Sequence, residues 1–554
     1  MPCCGILYLG CCLIFITEMM TFIVPSIVLP LDREDEYAVS SAKKKLSRLG
    51  ITGIKEGHIY KRSVDARRKN DIHFVCSVAL SGDFSEKDAR ALSGEGIMRL
   101  ADDEPHPVFG VTPMTGRPII VGAGPAGLFC ALILAENGYR PMVIERGGNV
   151  DERVVAIERL KKERILDTDT NIQFGEGGAG TFSDGKLVTR IHDGLSSYVL
   201  RTFVSFGADE SIMYNAKPHI GTDKLRRIIS NMSKRITELG GEILYHTKMT
   251  DIKINGSSAY SIMTDRGDIQ TGAVVLALGH SARDTYERLL GLDFAIEPKP
   301  FSVGVRIEHL REDIDRAMYG RYSSHPALKS AEYNLSCDTK SRGVYTFCMC
   351  PGGEVVAAAS ETGGVVVNGM SYSRRDMKNS NSAVAVSVFC DDYGNTPLGA
   401  IEFQRKIERA AFAAGGSDYS APLCTVGDFL GDDYDRAVSE PSKVKPSYMD
   451  GEGVKLASPS KYLPDFAVKS LRKAISCFDM KIHGFADSCA LLTGAETRTS
   501  APVRILRGED RLAVGYDNIY PVGEGAGYAG GITSASIDGI RSALALMAKF
   551  SMKD

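Results

Sequence analysis

The sequence predicts an α/β protein: a parallel β-α-β unit near residue 120, a long strand-rich segment behind it and a small α+β module in front. Three observations predict this. An apolar run, Pro118–Val121, leads into Gly122-Ala123-Gly124-Pro125-Ala126-Gly127, then an apolar helical stretch to Asn137, the capping Gly138 and a second apolar run, Pro141–Glu145. The order strand, glycine loop, helix returns across residues 511–550. Between these two elements, residues 295–490 alternate strand-like runs with Gly-rich turns and a few helices.

The bulk composition agrees with a multidomain globular chain. A length of 554 residues suggests about three domains. The hydrophobic fraction of 44% supplies a sizeable core, and a net charge of -3 excludes a global basic field for nucleic acid. The 13 cysteines form neither a disulfide framework nor a paired CxxC zinc pattern, so no metal site is expected. Scattered thiols in apolar runs fit a reducing, cytoplasmic location. The organellar alternative arises only if residues 1–18 are a targeting segment. Those residues read as a hydrophobic extension outside the folded unit, with an anchor or a genuine hydrophobic tail as the competing readings. Glu18 interrupts the apolar run before membrane length, so no clear transmembrane span is expected.

From the front, residues 20–105 read as the small N-terminal module. Strand Thr21–Leu29 contains Pro25, which argues for an edge position. A helix follows with acidic residues first and Lys43, Lys44, Lys45 and Arg48 last, the order the helix dipole favours. Strands near Gly57–Val64 and Asp71–Val78 flank a basic stretch containing Lys61, Arg62, Arg67, Arg68 and Lys69. That stretch reads as a solvated hairpin loop. Its alternative is an RNA-binding surface, in which the chain would be an RNA-modifying or scaffold protein. Residues 101–117 read as a linker. Domain boundaries are expected at 117–295, 296–490 and 491–554. Residues 151–250 read as mainly helical, and residues 251–279 as a β-meander with a final strand, Ala273–Leu278.

The glycine loop carries the first chemistry. Gly122 permits the turn out of the strand, Gly124 lets a pyrophosphate approach the backbone, and Gly127 lets helix and strand pack closely. Pro125 and Ala126 complete the loop at the helix start, where free N–H groups and the dipole attract anions. Glu145, eighteen residues beyond Gly127, stands where an acid accepts the hydroxyls of an adenosine ribose, with Arg146 beside it. A second element, Gly523-Glu524-Gly525 followed by Gly530-Gly531-Ile532, favours FAD over NAD, because a simple NAD domain needs one such loop. A third glycine-rich run contains Gly178, Gly180, Thr181, Ser183 and Lys186, and Val274–Leu278 runs into the turn Gly279-His280-Ser281.

These motifs resemble the large FAD-binding superfamily. The resemblance implies that Glu524 binds the ribityl chain, that the Gly530–Ile532 amides lie near the flavin N1/O2 edge, and that Gly279 closes the dinucleotide domain. The run around Gly178 is similar to a flavin-contacting loop of fumarate-reductase-like flavoproteins. Four strings extend the likeness: Lys217–Leu225, Gly343–Gly353, Asn368–Ser371 and Glu496–Arg504. From Met20 onward the chain resembles a family of FAD-dependent dehydrogenases, often labelled NAD-utilising, with a small N-terminal module. The resemblance implies FAD and a Rossmann-type, glutathione-reductase-like domain with an inserted mixed α+β substrate domain. It names no substrate.

The expected activity is flavin-mediated hydride transfer on a small-molecule substrate or electron carrier, with NAD(P)H as a candidate donor. No second GxGxxG follows a strand, which disfavours a two-nucleotide disulfide reductase; an FAD-dependent monooxygenase is the enzymatic alternative. Lys186, His219, Arg306 and Arg498 are the catalytic candidates, with Lys217 and His309 as further anion clamps or proton donors. For each a bland role competes: a surface Lys186, a His219 that caps the helix near Thr222, a solvated strand end for Arg306 and His309, and a surface loop for Arg498. Cys348 and Cys350 read as packed thiols, with Cys350 the more reachable.

Overall fold

The computed structural model describes residues 20–100, 103–189, 193–431 and 443–552. The expectation for residues 1–18 lies outside the described residues. The described residues divide into two compact units: those before 103 together with Met213–Ala216, and the remainder.

The first unit is a β-sheet with two helices: β1 (Met20–Pro30), α1 (Asp35–Arg48), β2 (Ile54–Asp65), β3 (His73–Gly82), α2 (Glu86–Gly94) and β4 (Met98–Arg99). The antiparallel order is β2-β3-β1-β4. β1 is thus not an edge strand. The short β4 meets it only at Phe22 and Ile23, and Pro25 lies in a bulge between Val24 and Ile27, where no ladder bond needs its missing N–H. The basic stretch lies along β2 and the turn into β3. Arg62 pairs with Asp35 and lies over the Phe74 and Tyr214 rings, and Arg67 pairs with Asp65.

The second unit begins with β5 (Thr112–Pro113), β6 (Pro118–Val121), α3 (Pro125–Glu136), β7 (Met142–Ile144) and α4 (Val150–Glu163). α3 starts at Pro125, two residues earlier than expected, because proline at the first helical position sacrifices no needed N–H. The predominantly helical expectation for 151–250 holds for α4, α5 (Leu195–Ser205) and α6 (Thr222–Glu238), while a folded glycine-rich loop joins α4 to α5. β8 (Glu242–Leu244) is followed by the meander β9 (Met249–Asn255), β10 (Ser258–Thr264) and β11 (Gly267–Gln270), then β12 (Ala273–Leu276) and α7 (Arg283–Leu290).

The rest builds a second lobe: β13 (Ile296–Pro298), β14 (Phe301–Leu310), α8 (Arg311–Tyr319), β15 (Ser336–Asp338), β16 (Gly343–Cys350), β17 (Gly353–Ala357), β18 (Val367–Ser371), β19 (Asn379–Val388), α9 (Pro397–Ala414), β20 (Ala421–Thr425), α10 (Val426–Leu430), β21 (Val454–Leu456), α11 (Asp465–Lys481) and β22 (Leu491–Glu496). The chain then returns through β23 (Val503–Ile505), β24 (Ile519–Pro521), α12 (Ile532–Lys549) and β25 (Phe550–Ser551).

The dinucleotide-type sheet has the order β24-β12-β6-β7-β8, all parallel. Its strands alternate between two cores. Ile120 and Val275 join the core with α3, α5, α6 and α12; Ile119, Val121, Val274 and Leu276 join the core with the meander and α7. α12 lies close against α3 because Gly539 has no Cβ: one there would stand 2.1 Å from the Ala126 carbonyl oxygen. The second lobe centres on a seven-stranded sheet, β15-β16-β19-β14-β22-β20-β21, in which β14 is buried over nearly its whole length.

Candidate functional site

The glycine loops separated in sequence meet in space. Gly122 leaves β6 at φ 107°, and a Cβ there would lie 2.4 Å from the Ala277 carbonyl oxygen. Gly177 N–H donates to the Ala123 carbonyl at 2.8 Å, and Gly178 stands against Gly124. Gly180 rests between Pro125, at the start of α3, and Ile532, at the start of α12. Gly523, at φ 74°, touches Ala126, and Gly525 abuts Gly279. The Tyr286 hydroxyl lies within hydrogen-bond distance of both the Gly279 and Gly525 carbonyls, at 2.9 and 2.8 Å. Gly122, Gly124, Pro125, Ala126, Gly178, Gly180, Gly279, Gly523 and Ile532 thus come together in one cradle at the starts of α3 and α12.

Glu145 shapes this cradle directly. Its carboxylate accepts the N–H groups of Ala123 at 2.8 Å, Gly175 at 2.9 Å and Gly147 at 3.0 Å. A carboxylate offers about four acceptor positions, so one remains open. Arg146, the residue after Glu145, is held by Asp284 at 3.0 Å and stacks on Phe174. Thr181 and Ser183 serve the loop itself: the Thr181 hydroxyl donates to the Glu176 carbonyl at 3.3 Å and Ser183 to the Gly180 carbonyl at 2.7 Å. Arg153, not anticipated from the sequence, clamps this loop through the carbonyls of Asn171, Ile172 and Glu176. Burial lowers it to about 9, partly offset by Glu145 and Glu176.

The residues present fit an FAD. Gly124 has open space over it, with only the Gly178 Cα as near as 4.0 Å to an added Cβ; Gly530 and Gly531 have nothing within 4 Å. The first-turn N–H groups of α3 have no intrahelical acceptor. The buried Gln173 amide nitrogen has no partner. Burial pushes the Glu524 carboxyl up to about 7 against the opposing charge of Lys299, so it can donate as well as accept a hydrogen bond near neutrality.

Two catalytic candidates come together. Lys186 and His219 pair across an antiparallel bridge, fixed by Leu187 N–H to the Pro218 carbonyl at 2.9 Å and Ile220 N–H to the Gly185 carbonyl at 3.1 Å. The Thr533 hydroxyl, in the first turn of α12, donates to the Leu187 carbonyl at 2.8 Å, which ties this bridge to the cradle. His219 does not cap α6, whose cap residue is Gly221 without a side-chain bond. Its buried Nδ1 has no partner, and burial, reinforced by Arg375, lowers the imidazole to about 4. Beneath it, Asp184 accepts from Arg375 and Ser371, and Arg375 also pairs with Glu332. Arg375 takes a φ of 51°, unusual for a residue with a Cβ.

The other two candidates are placed differently. Arg306, expected at a strand end or beside substrate, is fully buried in the central strand β14. Its guanidinium is spent on Glu496 at 3.1 Å, Asn381 at 2.9 Å and the Cys348 carbonyl at 2.7 Å. Against the cost of burial, Glu496 keeps it charged. His309 is likewise buried, with Nε2 at 2.8 Å from the Phe485 carbonyl. Arg498 is not in a surface loop. It is buried in a network where Glu408 accepts from Arg498 at 3.0 Å, Arg283 at 2.7 Å and Thr497 at 2.7 Å. Arg498 also donates to Ser281 at 3.0 Å, whose hydroxyl meets His280 Nδ1 at 2.9 Å, so the network reaches the Gly279 turn. Burial, with Arg498 and Arg283 adding to it, lowers His280 to about 3. Cys350 is buried, as a packed thiol is, but the expected order of access reverses: Cys348, at φ 43° in a bulge of β16, is the partly exposed one. Among the described residues no cluster of His, Cys, Asp and Glu could hold a metal, and no helix is long and apolar enough to cross a membrane.

Fold and site together define an FAD-dependent protein with a Rossmann-like dinucleotide-binding domain. Residues 300–499 match the family model for FAD-dependent protein, C-terminal domain-like, and residues 120–171 match an NAD(P)-binding Rossmann-like domain. Residues 23–81 match a domain of unknown function. The chain is 43% identical over 540 residues to an uncharacterized protein of Clostridium beijerinckii, covering 96% of this chain and 100% of that one, and it belongs to the same family. Among solved structures it is similar to glycine oxidase from Bacillus cereus, with 9% identity, a TM-score of 0.34 and coverage of 79% and 98% of the two chains. It is also similar to L-amino acid deaminase from Proteus vulgaris, with 13% identity, a TM-score of 0.33 and coverage of 81% and 97%.

Proposed function

We propose that the protein is an FAD-dependent oxidoreductase that transfers a hydride between a small-molecule substrate or electron carrier and its flavin, with NAD(P)H as a candidate electron donor. The observation that carries this reading is the convergence of the cradle with the Lys186–His219 bridge through Thr533 and Leu187. FAD, when bound, supplies a two-electron centre that gives or takes a hydride.

The chain's own residues do the rest. Gly122, Gly124 and Gly127 leave room for a pyrophosphate at the α3 N-terminus, and Glu145 offers its remaining acceptor position to the adenosine ribose. Gly178, Gly180, Gly279 and Gly523 let the backbone approach the cofactor closely, and Glu524 meets the ribityl chain. The α12 N-terminus, at Gly530–Ile532, places its positive end toward a site where negative charge develops. His219 is neutral near pH 7 and offers hydrogen bonds to the substrate; Lys186 donates a proton or orients the substrate. Arg498 holds the Gly279 turn in place through Ser281.

The test is the absorbance spectrum of the purified protein before and after anaerobic addition of NADH and NADPH. Flavin bands that bleach with either nucleotide support the full reading. Flavin bands that persist with both remove NAD(P)H as the donor and leave the flavoenzyme. A folded sample that neither contains flavin nor takes up added FAD overturns the proposal.

A further inference from the structure

We propose that the face formed by Lys186, Lys217 and His219 binds the carboxylate of an organic-acid substrate; this rests on the reading of the neighbouring cradle as an FAD site. The geometry starts from the acids. Asp184 and Glu332 are the nearest counter-charges to the two lysines, yet both are already committed to Arg375. Arg375 meets Asp184 through Nε at 3.0 Å and a terminal nitrogen at 2.5 Å, and meets Glu332 through its other terminal nitrogen. Ser371 donates to Asp184 as well.

The lysines are left with donors to spare. Lys186 Nζ stands 3.8 Å from Asp184 and Lys217 Nζ 3.7 Å from Glu332, within ion-pair range but beyond hydrogen-bond length. Neither ammonium makes a side-chain hydrogen bond to a described residue, although each carries three donors. Three cations, Lys186, Lys217 and Arg375, face two carboxylates, and the exposed Lys329 adds a positive field at His219. The local balance is positive, and an anionic group completes it.

His219 pairs with Lys186 across the bridge, two residues on from Lys217, and its buried imidazole adds no stable positive charge. A protonated imidazole would bury an Nδ1–H with no acceptor. The face therefore combines two ammonium donors with a neutral imidazole, a surface suited to hold a carboxylate beside the cradle.

The test is calorimetric binding to the FAD-loaded protein of acetate, butyrate and benzoate, each beside its matching alcohol and phosphate monoester, with the flavin absorbance recorded in the same samples. The expected result is at least about a tenfold preference for a carboxylate over its alcohol, weakening as salt rises. The preference should fall by about tenfold in Lys186→Met and in Lys217→Met. Lys217 is exposed, so its variant keeps the test open if Lys186→Met fails to fold. Equal affinity for acid and alcohol, no binding by any acid, or a preference for the phosphate monoester overturns the proposal. Failure of the cofactor reading shows separately, as absent flavin bands.

Discussion

The glycine loop allows fold and cofactor binding to be separated by two substitutions three residues apart. In Gly127→Ala the new methyl would lie 2.0 Å from the Gly122 carbonyl oxygen and 3.3 Å from Ile120. The backbone has to move by about 1 Å or more to admit it, and overpacking of this kind costs about 1–3 kcal/mol or more. In Gly124→Ala the nearest atom is the Gly178 Cα at 4.0 Å, ordinary contact, and Gly124 has a φ of -75° that alanine adopts freely. Stability should therefore change by less than about 1 kcal/mol. The same methyl stands where a pyrophosphate would approach the α3 N-terminus. Losing one charge-assisted bond there, about 1.5–3 kcal/mol, weakens FAD binding about 10- to 100-fold. The assays are denaturant unfolding of the apo-protein and FAD titration followed by flavin fluorescence. Gly124→Ala that binds FAD like the parent, or Gly127→Ala that unfolds like the parent, would refute this account of the loop.

Other consequences follow from the same contacts. Glu145→Gln turns one acceptor of the loop amides into a donor facing donors, and should lower apo-protein stability by about 1–3 kcal/mol in denaturant titration, before any effect on FAD. Glu408→Gln leaves Arg283 and Arg498 buried without their shared counter-charge and should cost about 3–5 kcal/mol, read by the same method. Glu524 holds its proton more tightly when folded, at about 7 against 4.5, so its contribution to stability declines as pH rises between those values; Glu524→Gln should gain on the parent more at pH 8 than at pH 5. His219 is depressed to about 4 from 6.5, so the fold gains stability as pH rises across that window, and His219→Asn should flatten the rise.

The parts of the molecule written in local pattern were legible in the sequence. The strand, glycine loop and helix around Gly122–Gly127 announce themselves by residue type at fixed spacing, and so do the meander and the return at Gly523–Ile532. The pairing of Lys186 with His219 was not legible, because the bridge between them depends on a loop closure across more than thirty residues. Arg306 and Arg498 misled for one reason. A charged residue in a strand or among hydroxyls reads as exposed or catalytic, and only tertiary structure shows a partner such as Glu496 or Glu408 arriving from far along the chain. Asp184, Arg375 and Arg153 carried no local signal at all.

The misleading residues and the missed ones have a common place in the architecture. Arg283 at the start of α7, Glu408 on α9 and Arg498 after β22 come from both lobes, and through Ser281 they hold the turn that abuts Gly525. Asp184 and Arg375 likewise join the glycine-rich loop to the segment after β18. Buried ion pairs of this kind contribute little net stability compared with apolar packing, but breaking one partner is costly, so each fixes one arrangement against its alternatives. A cradle assembled from loops as distant as residues 122, 178, 279 and 523 has no single helix or strand that runs across it. These charge networks span the same joints, and they supply the positional constraint that the glycines, chosen for the space they leave, cannot supply themselves.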